Sequence, residues 1–264
     1  MSGYFEGTYY KHQKNGNTVC VISGKAKDSS FIQVITNEKS YIYNFKTLNE
    51  SGCLFGTNGI ILGLPEVKGI IKYSPITPIK YDIMGPFKLC PMKCRHKIVS
   101  MYHKLNGKIT VEGMPIDFNG GTGYIEGDRG NSFPPKYLWV HCNDFAQKCS
   151  IVISVAQIPF GFAKFMGCIA VVWYNGTEYR FATYLNVKTL IAKRNKIVLW
   201  QGNRMLEAEI AEDLFSPLMS PRNGKMSDTI YESNTTQATF RLSQDDKTVF
   251  ELVSSNTSFE CEGL

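Results

Sequence analysis

The chain lacks long apolar runs, and its N-terminus lacks the features of a leader. The longest apolar stretch, residues 168–174, is far shorter than the roughly 20 apolar residues that cross a bilayer as a helix. We therefore expect no membrane-spanning helix. Residues 1–6 contain neither the basic nor the apolar region of a secretion signal, so the sequence predicts a cytoplasmic protein.

Concentrated positive charge is also lacking. Lys and Arg number 29 against 23 Asp and Glu, a net charge of +6, but the basic residues are scattered along the chain. A nucleic-acid site would need a basic stripe, so we expect no nucleic-acid partner. The net positive charge favours peripheral contact with anionic membrane surfaces. The sequence carries no signal of oligomeric state.

Motifs for cofactors and metals are absent or incomplete. The glycine-rich residues 120–130 lack the Gly-Lys-Ser/Thr ending of a phosphate loop, and no Gly-x-Ser-x-Gly motif of a serine hydrolase is present. Cys90, Cys94 and His96 have the wrong spacing and number for a zinc site. Without a secretion signal, we interpret the eight cysteines as reduced, mostly packed thiols. We expect no cofactor and no metal.

Turn signals, in contrast, are abundant. Asn-Gly favours hairpin turns because both residues tolerate positive φ, and it occurs six times, at Asn15, Asn58, Asn106, Asn119, Asn175 and Asn223. Two of these signals predict hairpins with clear flanking strands. One joins residues 168–174 to 177–184, and the other joins residues 101–105 to 108–112.

Strand-like runs recur roughly every 10 residues, and helical periodicity is nearly absent. This pattern predicts an all-β protein. Because this number of strands is too large for one small barrel, we expect two antiparallel β-barrel domains packed side by side. We place the boundary between the two domains within the turn-rich residues 127–136. This gives an N-terminal barrel of residues 1–133 and a C-terminal barrel of residues 134–264. No internal repeat is visible in the sequence.

Glu126 and Asp128 form the first candidate for chemistry. Two residues apart on a strand, they point to the same face about 7 Å apart. If that face lines an apolar pocket, burial and mutual repulsion raise the pKa of one carboxyl, as a Brønsted acid requires. The alternative is a solvated hairpin end.

Residues 137–143 form the second candidate. As a strand they place Tyr137, Trp139, His141 and Asn143 on one face. Two aromatic rings, an imidazole and an amide suit an apolar cavity with a few polar groups. The alternative is an amphipathic strand whose polar face points outward.

Three segments resemble the tocopherol cyclase-like family. They are Tyr-Phe-Glu-Gly-Thr-Tyr-Tyr at residues 4–10, the block from Tyr124 to Phe145 that contains Phe-Pro-x-Lys-x-x-Trp-Val-x-Cys-Asn, and the neighbourhood of residues 218–221. The chain differs at Thr8 and Arg129, where members usually carry Trp. The family is related to carotenoid hydratases and other paired lipocalin-like proteins. The resemblance implies two lipocalin-like barrels side by side.

The resemblance also implies acid-catalysed cyclisation or hydration of a prenylated lipophilic substrate, begun by protonation of a double bond. It ranks Glu126 first as the acid, Glu6 second and Asp128 third. Candidate cavity walls are Tyr10, Tyr124, Tyr137 and Trp139, and candidates to orient a substrate hydroxyl are His141 and Asn143. No cofactor is required.

Two alternatives remain open on the sequence alone. A carrier would bind a lipophilic small molecule in a uniformly apolar cavity without turnover, and a scaffold protein would have barrels filled by side chains. A catalyst is distinguished from both by a protonatable carboxyl in a water-poor cavity.

Overall fold

The computed structural model describes residues 3–27, 29–160, 163–211 and 215–264, which form twenty β-strands in two antiparallel sheets. The first sheet contains β1 (Phe5–Lys14), β2 (Asn17–Ala26), β3 (Ser29–Thr36), β4 (Ser40–Phe45), β5 (Leu54–Gly56), β6 (Gly59–Gly63), β7 (Val67–Tyr73), β8 (Cys94–Val111), β9 (Met114–Asp117) and β10 (Thr122–Gly130). The second contains β11 (Tyr137–Cys142), β12 (Cys149–Phe160), β13 (Ala163–Tyr174), β14 (Thr177–Ala182), β15 (Lys188–Lys193), β16 (Lys196–Gln201), β17 (Arg204–Ile210), β18 (Ser216–Arg222), β19 (Lys225–Gln244) and β20 (Lys247–Glu262).

The only helical segments in the described part of the chain are three short 3₁₀ turns, at Leu48–Ser51, Gly85–Leu89 and Thr183–Leu185. The all-β prediction is therefore confirmed. Among these same residues, no helix has the length and apolar character needed to cross a membrane.

The two sheets repeat one strand order. The first runs β4-β3-β2-β1-β10-β8-β7-β6-β5 and the second runs β14-β13-β12-β11-β20-β19-β17-β16-β15, while β9 and β18 pair with the long strands β8 and β19. The sequence shows no repeat, so the duplication is visible only in the topology. This order confirms the paired lipocalin-like architecture.

Each barrel is open and not closed. In the described residues, β4 does not pair with β5 and β14 does not pair with β15. Both connections run through a 3₁₀ turn instead of a tight hairpin. Residues 131–136 join the two sheets, and the division at 133/134 stays a prediction.

One predicted hairpin is confirmed and the other is wrong. Asn175 and Gly176, both with positive φ, join β13 to β14. At Asn106-Gly107 the chain continues straight through β8. Gly107 has φ of 140°, and a Cβ there would collide with the carbonyl oxygen of Ile70 on β7. The glycine permits close approach of two strands here, and the actual turn follows at Gly113.

Three large apolar clusters organise the molecule, with a small fourth one around Phe5 and Phe31. One fills the first sheet, around Val21, Ile32 and Phe118, and another fills the second sheet, around Val140, Phe181 and Phe240. The third lies between the sheets and contains Tyr9, Tyr124, Trp139, Val152, Leu218 and Ile230. Hydrogen bonds also join the sheets, including two between the Gln33 amide and the backbone of Met219. All eight cysteines are free thiols.

Candidate active site

A cavity of about 180 Å³ lies between the two sheets, at the third apolar cluster. Both sheets line it, together with residues from the connection between β7 and β8. Its wall is mainly apolar, with side chains such as Phe5, Met84, Phe87, Phe133, Ile158 and Leu218. One imidazole and three carboxyls also reach it: His96, Glu126, Asp128 and Glu260.

Strand register explains how these groups face each other. Alternate residues of a strand share a face, and Tyr9 on β1 lies opposite Glu126 on β10. In the second sheet, Trp139 on β11 lies opposite Glu260 on β20. Since the two sheets share one strand order, β1 corresponds to β11 and β10 corresponds to β20. All four side chains line the cavity.

His96 lies between two carboxylates. Its Nε2 is 3.2 Å from Oε2 of Glu126, and its Nδ1 is 3.1 Å from Oδ1 of Asp128. The Nδ1 contact is a hydrogen bond, whereas the Nε2 contact is close but not aligned for one. Burial lowers the pKa of His96, but the two negative charges outweigh burial and hold the pKa well above its usual range. His96 is therefore an imidazolium at neutral pH.

Two further donors converge on the same oxygen of Glu126. The Tyr124 hydroxyl lies 2.5 Å from Oε2, and the Trp139 indole N–H lies 3.3 Å from it. Burial, with the neighbouring Glu126 carboxylate, raises the pKa of Tyr124 well above its usual range, so this hydroxyl stays a donor. These contacts fix the orientation of the Glu126 carboxyl, whose side chain is only 7% exposed.

A second pair of carboxyls lies on the other sheet. Glu232 on β19 is directly opposite Glu260 on β20. The Tyr9 hydroxyl donates to Glu232 at 2.8 Å, and the Tyr137 hydroxyl donates to Glu260 at 2.9 Å. Burial raises the pKa of Glu232 to about 7. Burial together with the charge of Glu232 raises the pKa of Glu260 well above its usual range.

Sequence reasoning missed three of these groups. The sequence points to His96 only as one member of an incomplete metal site. The pairing of β8 with β10 places it directly opposite Asp128. Glu232 and Glu260 lie in no motif, and no local pattern marks them. Only the pairing of β19 with β20 brings them together.

The structure brings four predicted site residues to the cavity. Glu126, Asp128, Tyr137 and Trp139 all line it. Tyr124 is fully buried behind the wall, where its hydroxyl binds Glu126. The predicted acid and two of the predicted aromatic walls therefore occupy one site.

The remaining predicted residues lie elsewhere. Glu6 is exposed, with its carboxylate 3.8 Å from the Lys25 ammonium. Tyr10 packs into the core of the first sheet, on the face of β1 opposite to that of Tyr9. His141 and Asn143 are buried, and neither is part of the cavity wall. Their roles in a site stay predictions.

His96, Glu126 and Asp128 are also the residues that could hold a metal, since one ligand atom from each lies within 4.8 Å of the others. Each imidazole nitrogen already faces a carboxylate oxygen. That geometry is one of direct charge pairing, whereas metal ligands aim their lone pairs at a common point. The arrangement therefore favours an ion-paired imidazolium over a metal centre.

Comparison with solved structures shows the same overall fold in two proteins. Kievitone hydratase from Nectria haematococca is 12% identical with a TM-score of 0.58, and the alignment covers 99% of this chain and 89% of that chain. CghA, solved with Sch210972, is 9% identical with a TM-score of 0.61 and the same coverage. At such low identity the likeness shows the fold alone.

Comparison with curated proteins finds no match. A family model described as tocopherol cyclase-like matches residues 95–260, more than half of the chain. The matched segment includes His96, Glu126, Trp139, Glu232 and Glu260, and it confirms the resemblance inferred from the motifs. The chain therefore belongs to the tocopherol cyclase-like family.

Proposed function

We propose that this chain is an enzyme that protonates a carbon–carbon double bond of a prenylated lipophilic substrate. A hydroxyl group of the substrate, or a water molecule, then captures the cation and gives a cyclised or hydrated product. One observation carries the proposal: the Glu126 carboxyl lines a mainly apolar cavity while its Oε2 lies 3.2 Å from Nε2 of His96. The name of kievitone hydratase, which shares the fold, describes a hydration.

His96 stores the proton and Glu126 delivers it. An apolar substrate that fills the cavity displaces water from around the ion pair. Loss of solvation disfavours the charged pair relative to the neutral one, in which the proton lies on Glu126. Glu126 then forms the new C–H bond as the alkene π bond breaks, and this leaves a carbocation and the Glu126 carboxylate. Asp128 holds the other nitrogen of His96 in place.

The cavity wall suits a carbocation. The aromatic rings of Tyr9, Tyr137 and Trp139 line it, and the faces of such rings attract positive charge. The carboxylate that Glu126 leaves behind adds an opposite charge fixed in position by Tyr124 and Trp139.

Substitution of Glu126 by Gln tests the assignment. Gln keeps the shape of the side chain but cannot supply a proton, so turnover of prenylated phenols or polyenes should fall by about 10²- to 10⁴-fold. Binding of the same compounds, measured by isothermal titration calorimetry, should change by no more than about threefold. Glu6→Gln is the matched comparison, because Glu6 is the rival acid by sequence but is exposed. Wild-type turnover in Glu126→Gln would refute the role of Glu126.

The alternative is a carrier for a lipophilic small molecule. The observation that favours it is the mainly apolar cavity wall. A carrier would bind these compounds tightly and release them unchanged at every pH. Detection of one turned-over product by the wild-type protein, absent with Glu126→Gln, would reject the carrier.

A further inference from the structure

Glu232 and Glu260 are carboxyls that the proposed reaction has not yet used. Glu232 is 1% exposed, and Glu260 lines the same cavity as Glu126. The strand register places them side by side, with Trp139 as the next residue across the sheet from Glu260. Glu260 lies on β20, which corresponds in the strand order to β10, the strand that carries Glu126.

One oxygen of Glu232 has no donor. Its Oε1 accepts from the Tyr9 hydroxyl at 2.8 Å, whereas its buried Oε2 has no hydrogen-bond partner. The neighbouring Glu260 accepts from Tyr137 through Oε2. Two ionised carboxylates cannot hydrogen-bond each other, and a buried acceptor without a donor is costly. One proton between the two carboxyls supplies the missing donor.

The surroundings of the pair contain little charge to neutralise two carboxylates. Among the groups that interact with Glu232, the cation is Lys11. Lys11 is fully buried, and its ammonium donates to the carbonyl oxygen of His141 at 3.1 Å. Glu126 adds further negative charge across the cavity, and the remaining neighbours, Tyr9, Tyr137 and Cys20, are neutral donors or thiols. One negative charge on the pair matches this setting better than two.

We infer that Glu232 and Glu260 share one proton and form a second proton-transfer site of the cavity, which accepts the proton released by the attacking hydroxyl group or water. The inference rests on the proposed function. Addition to the alkene transfers one proton from Glu126 to carbon, and formation of the C–O bond releases one proton from oxygen. The singly protonated pair takes up that second proton through Glu260, and both sites return to their starting states by exchange with solvent.

The titration of the pair is suited to this task. A general base works best when its pKa lies near the working pH. The two carboxyls titrate as a pair, and burial raises the pKa of its more acidic member, Glu232, to about 7, while the pKa of Glu260 is raised further. The two proposed sites are thus tuned in opposite ways. In the first sheet a carboxyl faces an imidazolium, and in the second sheet a carboxyl faces another carboxyl.

Infrared spectroscopy of the protein in H₂O and D₂O detects such a shared proton directly. At neutral pH the wild type should show the C=O stretch of a protonated carboxyl, with its isotope shift. Both Glu232→Gln and Glu260→Gln should lose this band, because the Gln amide donates to the remaining carboxyl and lets it ionise. Glu251→Gln, which alters an exposed carboxyl beside Arg241, should keep it.

Turnover provides the second readout. Glu260→Gln should reduce turnover by about 10²-fold or more. Glu232→Gln should move the acid limb of the pH–rate profile to lower pH, since the remaining carboxyl no longer faces a second one. A wild type without the protonated band, or a band that survives in Glu232→Gln, would overturn the shared proton. A band that behaves as expected in a protein that turns over no substrate would refute the proposed function and leave the shared proton intact.

Discussion

The hydroxyl of Tyr9, on the first sheet, donates a 2.8 Å hydrogen bond to Oε1 of Glu232 on the second sheet. Trp139, on the first strand of the second sheet, donates in the opposite direction to Glu126 at 3.3 Å. The first strand of each sheet therefore carries an aromatic donor that reaches a carboxyl of the other sheet. These reciprocal contacts hold the two carboxyl sites at one cavity.

Tyr9→Phe should destabilise the protein by about 1.5 to 3 kcal/mol. The substitution removes a buried hydrogen bond to an ionisable group and leaves the Glu232 oxygen without its donor. Chemical denaturation measures the loss. Tyr231→Phe is the control, because Tyr231 lies on the same strand as Glu232 but is 52% exposed. Equal stability of the two variants would contradict the role of the hydrogen bond.

Activity should fall at alkaline pH because His96 loses its proton. The carboxylates of Glu126 and Asp128 hold the pKa of His96 well above its usual range, against the lowering effect of burial. The charged form is therefore present through neutrality and is lost as pH rises through this raised pKa. His96→Gln should lower turnover by about 10²-fold and flatten the alkaline limb of the pH–rate profile. An unchanged alkaline limb in the variant would show that another group titrates there.

His12 should make the protein less stable in acid. It is fully buried, with Nδ1 2.9 Å from the Val19 carbonyl oxygen and Nε2 2.7 Å from the Tyr73 hydroxyl. Burial lowers its pKa to about 4. The unfolded chain takes up this proton near pH 6.5 and the folded chain does not, so the stabilisation is present above pH 6.5 and is lost as pH falls toward about 4.

His12→Gln removes this pH dependence. The stability difference between wild type and variant should therefore shrink by about 3 kcal/mol between pH 7 and pH 4. Urea denaturation of both proteins across this range provides the measurement. A difference that is constant with pH would mean that His12 is protonated in the folded state.

Arg180 anchors the connection between β7 and β8 on the second sheet. Its guanidinium donates to the carbonyl oxygens of Tyr81 at 2.8 Å and Asp82 at 3.1 Å, and it pairs with Glu178 at 2.9 Å. The guanidinium carbon also lies 3.6 Å from the centre of the Tyr81 ring. This connection supplies Met84 and Phe87 to the cavity wall.

Arg180→Lys should destabilise the protein by about 1.5 to 3 kcal/mol and speed hydrogen exchange of residues 81–90. A lysine has no planar fork, so it cannot reproduce both the hydrogen bonds and the stacking. Arg241→Lys is the control, because the Arg241 side chain is half exposed and its ion pair with Glu251 is 4.0 Å long. Similar exchange in both variants would show that the connection is held by its apolar contacts alone.

Much of the fold was predictable from the sequence because strand periodicity and turn chemistry are local properties. Alternation along residues 137–143 places Tyr137 and Trp139 on one face, and both line the cavity. The same argument placed Glu126 and Asp128 together, and both contact His96. The Asn-Gly rule succeeded at Asn175, where two strands needed a turn. It failed at Asn106, where the glycine serves a close approach between strands.

The choice between the two faces of a strand was not predictable. Strand β1 is buried on both sides, with Tyr10 in the core of the first sheet and Tyr9 against the second sheet. Alternation separates the two faces but does not say which of them meets the cavity. The resemblance to the family pointed to Tyr10 as a wall residue and to Glu6 as an acid, whereas Tyr9 lines the cavity and Glu6 is exposed.

By itself the sequence determined the all-β class, most of the strands and the family, and it pointed to Glu126 as a candidate acid. Tertiary structure alone decided that His96 lies between Glu126 and Asp128 and that Glu232 lies beside Glu260. The protonation of each group depends on its burial and on charges a few ångströms away in space. Those neighbours come from strands far apart along the chain, and only the pairing of the strands brings them together.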